Sequence, residues 1–184
     1  MKQLMNWFDK GMSKYEYIHA MQKNKDDFLS IYNGFSLAPE EKKVLQALQS
    51  KRLKAIVLTA DWCGDAMINL PILMRIAEEA LIDVRYLIRD DNLELMDQYL
   101  TNGTARSIPI IIFLNEAGEE IAKWGPRSKK VAEVVSELQN ELPAQDAPEY
   151  QEAFKQFIAK ATVQFKTNSE LQASIKDELI ACIN

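Results

Sequence analysis

Apolar positions along this chain repeat at two spacings, and the switch between them outlines its organisation. In the first third they recur every three to four residues, the helical period. Tyr17, Met21, Lys25 and Phe28 run down one line, broadened by Ile18, Leu29 and Tyr32, and Asn33-Gly34 supplies a stop. A second helix starts at Ser36, with Pro39, Glu40 and Glu41 in its first turn and Val44, Leu45 and Leu48 on its inner face. The period then changes. Leu53–Thr59 is a short run rich in apolar and β-branched residues, the pattern of a strand buried on both faces. Met67–Ala80 reads as a helix broken only by Pro71, Ile82–Ile88 as a strand and Asn92–Leu100 as a short helix. After the loop Thr101–Thr104, Ile108–Leu114 and Glu120–Lys123 form a hairpin around Asn115–Glu119, and Gly125-Pro126 stops it. Ser128 caps a helix running to about Asn140.

Past Leu142, the segment Pro143–Pro148 reads as a linker. Two amphipathic helices follow. Tyr150, Phe154, Phe157, Ile158 and Ala161 line the first, and Leu171, Ile175, Leu179 and Cys182 the second, with Ser169 as its cap. The middle order is strand, helix, strand, helix, strand, strand, helix. It predicts an α/β fold: a mixed central sheet of about four strands with helices on both faces. The expected division is an N-terminal helical extension (1–52) packed on the core, a core (53–142) and a C-terminal helical extension (143–184).

Composition narrows the function classes. The 184 residues carry a net charge of −5 with both signs interspersed, so no basic nucleic-acid surface is expected. Met1–Lys10 lacks the apolar core and small-residue cleavage site of a signal sequence. The longest apolar runs, Ala55–Ala60 and Ile108–Leu114, are too short to span a bilayer. These features together point to a cytoplasmic protein with neither nucleic-acid nor membrane partners. The two cysteines, Cys63 and Cys182, are expected as free thiols in a reducing compartment. One histidine, His19, does not make a zinc site with them, and no cofactor is implied.

The chemistry concentrates at Trp62-Cys63-Gly64-Asp65-Ala66, where a buried strand meets a helix. A cysteine at a helix start faces unpaired backbone N–H groups and the positive end of the helix dipole, and both favour its thiolate. Asp61 and Asp65 flank it and push the other way, leaving the balance open.

Here the chain resembles the thioredoxin superfamily. Trp62, Cys63 and Gly64 match the start of that family's Trp-Cys-Gly-X-Cys motif. Pro71 stands where the family has a proline in the active-site helix, and Ser107-Ile108-Pro109 resembles its cis-proline segment. The closing hairpin and Trp124-Gly125 before the last helix complete the match, from Leu53 to Asn140. The resemblance implies a thioredoxin fold with extra terminal helices. It also implies that Ile108 offers backbone groups to an extended peptide, in a substrate groove rimmed by Trp62, Pro109, Trp124 and Gly125 that also takes in Gly64, Asp65 and Ala66.

Two departures bear on mechanism. Ala66 occupies the place of the family's second cysteine, and Val57 the place of a buried acidic residue in many members. A mixed disulfide on Cys63 could not be resolved from within the motif. The expected activity is monothiol exchange with protein thiols or a low-molecular-weight thiol as partner, an external thiol resolving the adduct. The alternative is a non-catalytic binding module using the same groove and the added helices. An iron–sulfur role would need ligands that the sequence does not name. Arg106 and Arg127 bracket the groove, either solvated or contacting the thiolate or a ligand's carboxylates. Cys182, His19, Trp7, Phe8 and Met12 read as packing or surface residues.

Overall fold

The computed structural model describes residues 3–184. Met1 and Lys2, which open the stretch weighed above as a signal sequence, lie outside the described residues. Four helices, α1 (Leu4–Lys10), α2 (Lys14–Ala20), α3 (Lys25–Gly34) and α4 (Pro39–Gln46), precede strand β1 (Lys54–Thr59). Helix α5 (Gly64–Ala80), strand β2 (Asp83–Ile88) and helix α6 (Leu93–Met96) follow. Strands β3 (Ile110–Leu114) and β4 (Glu120–Trp124) lead to helices α7 (Lys129–Asn140), α8 (Tyr150–Thr167) and α9 (Ser169–Ile183).

The sheet has the order β2-β1-β3-β4. β1 and β2 are parallel, which requires a long crossover, and α5 supplies it. β3 runs antiparallel to β1 and to β4, so the sheet is mixed, as the sequence pattern predicts. Every residue from Ala55 to Thr59 and from Ile110 to Leu114 is buried, because helices surround these central strands. α5 packs against α3, α4, α8 and α9, while α1 and α2 lie along β2. The hairpin turn uses Gly118 at φ +83°, and Asn115 Oδ1 accepts from the Glu119 N–H at 2.9 Å.

Several boundaries differ from the sequence expectation. The first long helix is two, parted at Met21–Asn24, with Asn24 in the left-handed region at φ +57°. The apolar line continues across the break, since Tyr17, Met21 and Phe28 are all buried. α4 starts at Pro39 rather than after Ser36, because Glu41 reaches back to accept from the Ala38 N–H at 2.7 Å. Leu45 and Leu48 are buried there but Val44 is exposed. α6 is shorter than Asn92–Leu100. Beyond Met96 the backbone bonds tighten to a three-residue span, Gln98 N–H to Leu95 and Tyr99 N–H to Met96. α5 runs on through Pro71 as one helix.

On α8 the buried line is Phe157, Ala161 and Phe165, spaced four apart, while Phe154 and Ile158 are exposed. The rings of Tyr150 and Phe154 stack on each other instead, and Phe154 tilts against the buried Phe157. On α9 the inner line ends at Ile183, not Cys182, and the cap is Asn168, whose side chain accepts from the N–H groups of Glu170 and Leu171. Among the described residues no helix is long and apolar enough to cross a membrane.

Candidate functional site

β1 delivers the chain to Cys63, which is the N-terminal cap residue of α5 and only 8% exposed. Its Sγ donates to the Ile108 carbonyl at 3.4 Å, so the motif and the segment before β3 meet directly. Burial pushes the Cys63 thiol up from its ordinary pKa. The Ala66 and Asp65 N–H groups and the Arg127 guanidinium oppose that shift, while the Asp65 carboxylate reinforces it. The balance that the sequence left open therefore falls on the side of the protonated thiol.

Each neighbour is held in place by identifiable bonds. Asp65 accepts from Arg127 Nε at 2.8 Å, and burial raises its carboxyl pKa against that ion pair. Asp61 is engaged by the segment after α2. Its carboxylate accepts from the N–H groups of Gln22 and Lys23 at 2.7 and 3.1 Å, and Asn24 Nδ2 donates to its carbonyl at 3.0 Å. Those contacts explain the break between α2 and α3. The loop before Cys63 caps the backbone that the break sets free.

Of the residues singled out from sequence, Trp62, Cys63, Asp65, Arg106, Ile108 and Arg127 line one cleft of about 490 Å³. Trp124 and Gly125 line a neighbouring cleft of about 330 Å³, and Arg127 stands in the wall of both. Pro109 is buried behind them, and the Ile108–Pro109 and Gly125–Pro126 peptide bonds are cis. Ala66 is buried one turn into α5. Gly64 is exposed, with the ring of Phe165 from α8 3.9 Å from where a Cβ would stand. Cys182 is half-buried on α9, and His19 is exposed.

The structure adds residues that the sequence reading missed. Arg89, just past β2, joins the first cleft. It lies over the Trp62 ring, 4.9 Å from its centroid, and its Nη1 donates to the Arg106 carbonyl at 3.2 Å. Glu178 of α9 accepts from both Trp124 Nε1 and the Lys129 N–H, each at 2.8 Å. Ser174 of the same helix meets Ser128 at 2.7 Å, oxygen to oxygen. Asn69 of α5 donates from Nδ2 to the Pro126 carbonyl at 2.9 Å, leaving its buried Oδ1 without a hydrogen-bond partner. The turn from Trp124 to Lys129 is thus gripped by α5 on one side and α9 on the other. Tyr17, read from sequence as plain core, brings a hydroxyl to Thr59 Oγ1 at 3.2 Å, at the end of the strand that leads to the motif. Burial pushes its pKa up to about 12, with Asp61 and Cys63 adding to the shift. No signal in the local sequence marks these contacts, because each joins residues far apart in the chain.

Residues 11–147 match the family model described as Thioredoxin. No curated protein matches the chain. Among solved structures, the fold is similar to PA1234 from Pseudomonas aeruginosa, a protein of unknown function. The TM-score is 0.66 at 17% identity, covering 100% of this chain and 98% of that one. An HIV epitope-scaffold protein is similar with a TM-score of 0.65 at 17% identity, covering 97% of this chain and 96% of that one. Identities this low carry the fold alone.

Proposed function

Because this chain belongs to the thioredoxin family, we propose that it performs monothiol thiol–disulfide exchange through Cys63. The Cys63 thiolate attacks one sulfur of a mixed disulfide. A new S–S bond forms on Cys63, the old one breaks, and the departing thiolate takes up a proton. A second, low-molecular-weight thiol then attacks the Cys63 adduct, releasing the Cys63 thiol and a small disulfide. The second thiol is the reductant, and each disulfide broken is matched by one formed. Ala66 supplies no sulfur for internal resolution, so the second thiol comes from solution. The reaction suits a reducing compartment such as the cytoplasm.

One observation carries this reading: Cys63 lines the cleft at the N-terminal cap position of α5, where the Asp65 and Ala66 N–H groups oppose the burial that raises its thiol pKa. Those donors stabilise a thiolate as it forms. The raised pKa keeps the resting group protonated, which lowers the fraction ready to attack, while a more basic thiolate is the stronger nucleophile. The expected catalyst is slow at neutral pH and faster in alkali.

A binding-module reading is favoured by a different observation: Cys63 is 8% exposed and its thiol is engaged with the Ile108 carbonyl. The cleft of Trp62 and Ile108 and the neighbouring cleft of Trp124 and Gly125 would then hold a peptide without chemistry. Alkylation of Cys63 across pH, in a Cys182→Ser background, separates the two. Exchange requires Cys63 to react in the folded protein, with a rate still climbing above the ordinary thiol pKa of about 8.5, and the resulting mixed disulfide to be released by added thiol. A thiol that reacts only after unfolding overturns exchange and leaves binding.

A further inference from the structure

We infer that the cleft beside Cys63 selects small disulfides bearing two or more negative charges over neutral and cationic ones; this rests on the exchange reading above. Three arginines from separate parts of the chain converge on this cleft: Arg89 after β2, Arg106 before β3 and Arg127 after β4. The chain as a whole carries a net charge of −5, so three arginines gathered at one thiol run against its general character.

Each guanidinium has a carboxylate partner, and the geometry shows what remains free. Arg106 uses Nε and Nη2 on Asp97, at 2.7 and 2.9 Å, leaving Nη1. Arg127 uses Nε on Asp65, leaving both terminal nitrogens. Arg89 uses Nε and Nη2 on Asp90 and Nη1 on the Arg106 carbonyl, and lies against Trp62, so it positions the cleft wall rather than offering a free nitrogen. Of the partner carboxylates only that of Asp65 stands in the cleft wall, while Asp90 and Asp97 lie outside it. The lining therefore holds three ion-paired arginines, of which Arg106 and Arg127 keep unspent guanidinium N–H groups for a ligand's own anionic groups. Guanidinium edges of this kind bind carboxylates and phosphates with paired, charge-assisted bonds.

Size and shape agree with a small molecule. A cleft of about 490 Å³ suits a few residues' worth of ligand. Trp62, 47% exposed beside the sulfur, offers a flat face for amide groups. In exchange, anionic groups on the rim would hold the scissile S–S bond against Cys63, and the same contacts would receive the resolving thiol.

The test uses the full-length Cys182→Ser protein. Rates of adduct formation at Cys63 are measured by intact mass with doubly anionic glutathione disulfide, neutral hydroxyethyl disulfide and doubly cationic cystamine. Each is divided by the rate of a free model thiol. The corrected preference for glutathione disulfide over cystamine should be about tenfold or more at low salt, should shrink at high salt, and should fall in Arg106→Gln and Arg127→Gln. A corrected ratio near one at low salt overturns the selectivity and leaves exchange standing. Coenzyme A disulfide, run alongside, separates phosphate from carboxylate recognition, and a preference for either supports the anionic class. Should Cys63 exchange with none of them, exchange itself fails. Calorimetry with S-methylglutathione, which cannot exchange, then decides the inference alone. Binding that weakens in Arg106→Gln supports it, and absence of binding overturns it.

Discussion

Replacing Gly125 with alanine should be the most damaging glycine substitution in the turn and loop regions, and its cost can be built from the structure. Gly125 has φ +125°, a backbone state that L side chains rarely adopt, which costs about 1–3 kcal/mol for a residue with a Cβ. A Cβ there would lie 2.1 Å from the Pro109 carbonyl oxygen. Relieving that overlap needs the two backbones to part by about 1 Å in a close-packed region. The turn cannot drift freely, because Asn69 holds the Pro126 carbonyl and Asp65 holds Arg127. Losing the Asn69 bond adds about 1 kcal/mol. Together these two costs come to about 2–4 kcal/mol for Gly125→Ala, with the overlap adding to them. Two other glycines calibrate it. Gly103 has φ +73° with open space around its missing Cβ, so Gly103→Ala carries the backbone cost alone, about 1–2 kcal/mol. Gly34 ends α3 in open space without a positive φ, so Gly34→Ala should stabilise by up to about 1 kcal/mol. Urea unfolding reads all three as midpoint shifts at constant slope. The alkylation rate of Cys63 should change only in Gly125→Ala, because Pro109 adjoins the carbonyl that accepts from its sulfur. A Gly125→Ala midpoint no lower than that of Gly103→Ala would refute the steric account.

The remaining predictions concern the thiol and the far side of the turn. Because the Cys63 pKa is raised in the fold, the unfolded chain ionises first as pH rises; below the ordinary thiol pKa of about 8.5 both states are protonated, and above it Cys63 draws the equilibrium toward unfolding. Stability of the native protein relative to Cys63→Ala should therefore fall from about pH 8.5 upward, and a difference that stays flat to pH 10 or grows contradicts the burial argument. Glu178→Ala strands both the Trp124 indole N–H and the Lys129 N–H, at a cost of about 1–3 kcal/mol. It should also change Trp124 fluorescence, while Glu178→Gln retains an acceptor and recovers part of the stability.

The parts of this molecule that the sequence made legible are those whose cause is local. β1 and β3 declare themselves because a short run buried on both faces must be apolar throughout. The Trp62–Ala66 motif, Pro71 and Pro109 could be aligned with a family because each marks a fixed point on one element. The illegible parts are set at a distance. Nothing near Met21 announces the break in the first helix. Its apolar period runs on, and the backbone departs from helix because Asp61, far along the chain, accepts the freed N–H groups. The same holds at the site. The sequence reading placed Arg127 at the groove, but what aims it is a turn gripped by Asn69 and Asp65 of α5 and by Ser174 and Glu178 of α9. The aromatic face of α8 misled for a related reason. Tyr150 and Phe154 stack on each other away from the core, and of the three rings only Phe157 is on the buried line, so the spacing marks a run of ring contacts rather than the buried side. The terminal helices thus do more than cover the sheet. The segment after α2 is pinned by the loop that carries Cys63, and α9 pins the turn that carries Arg127. The surroundings of one thiol therefore depend on contacts from both ends of the chain.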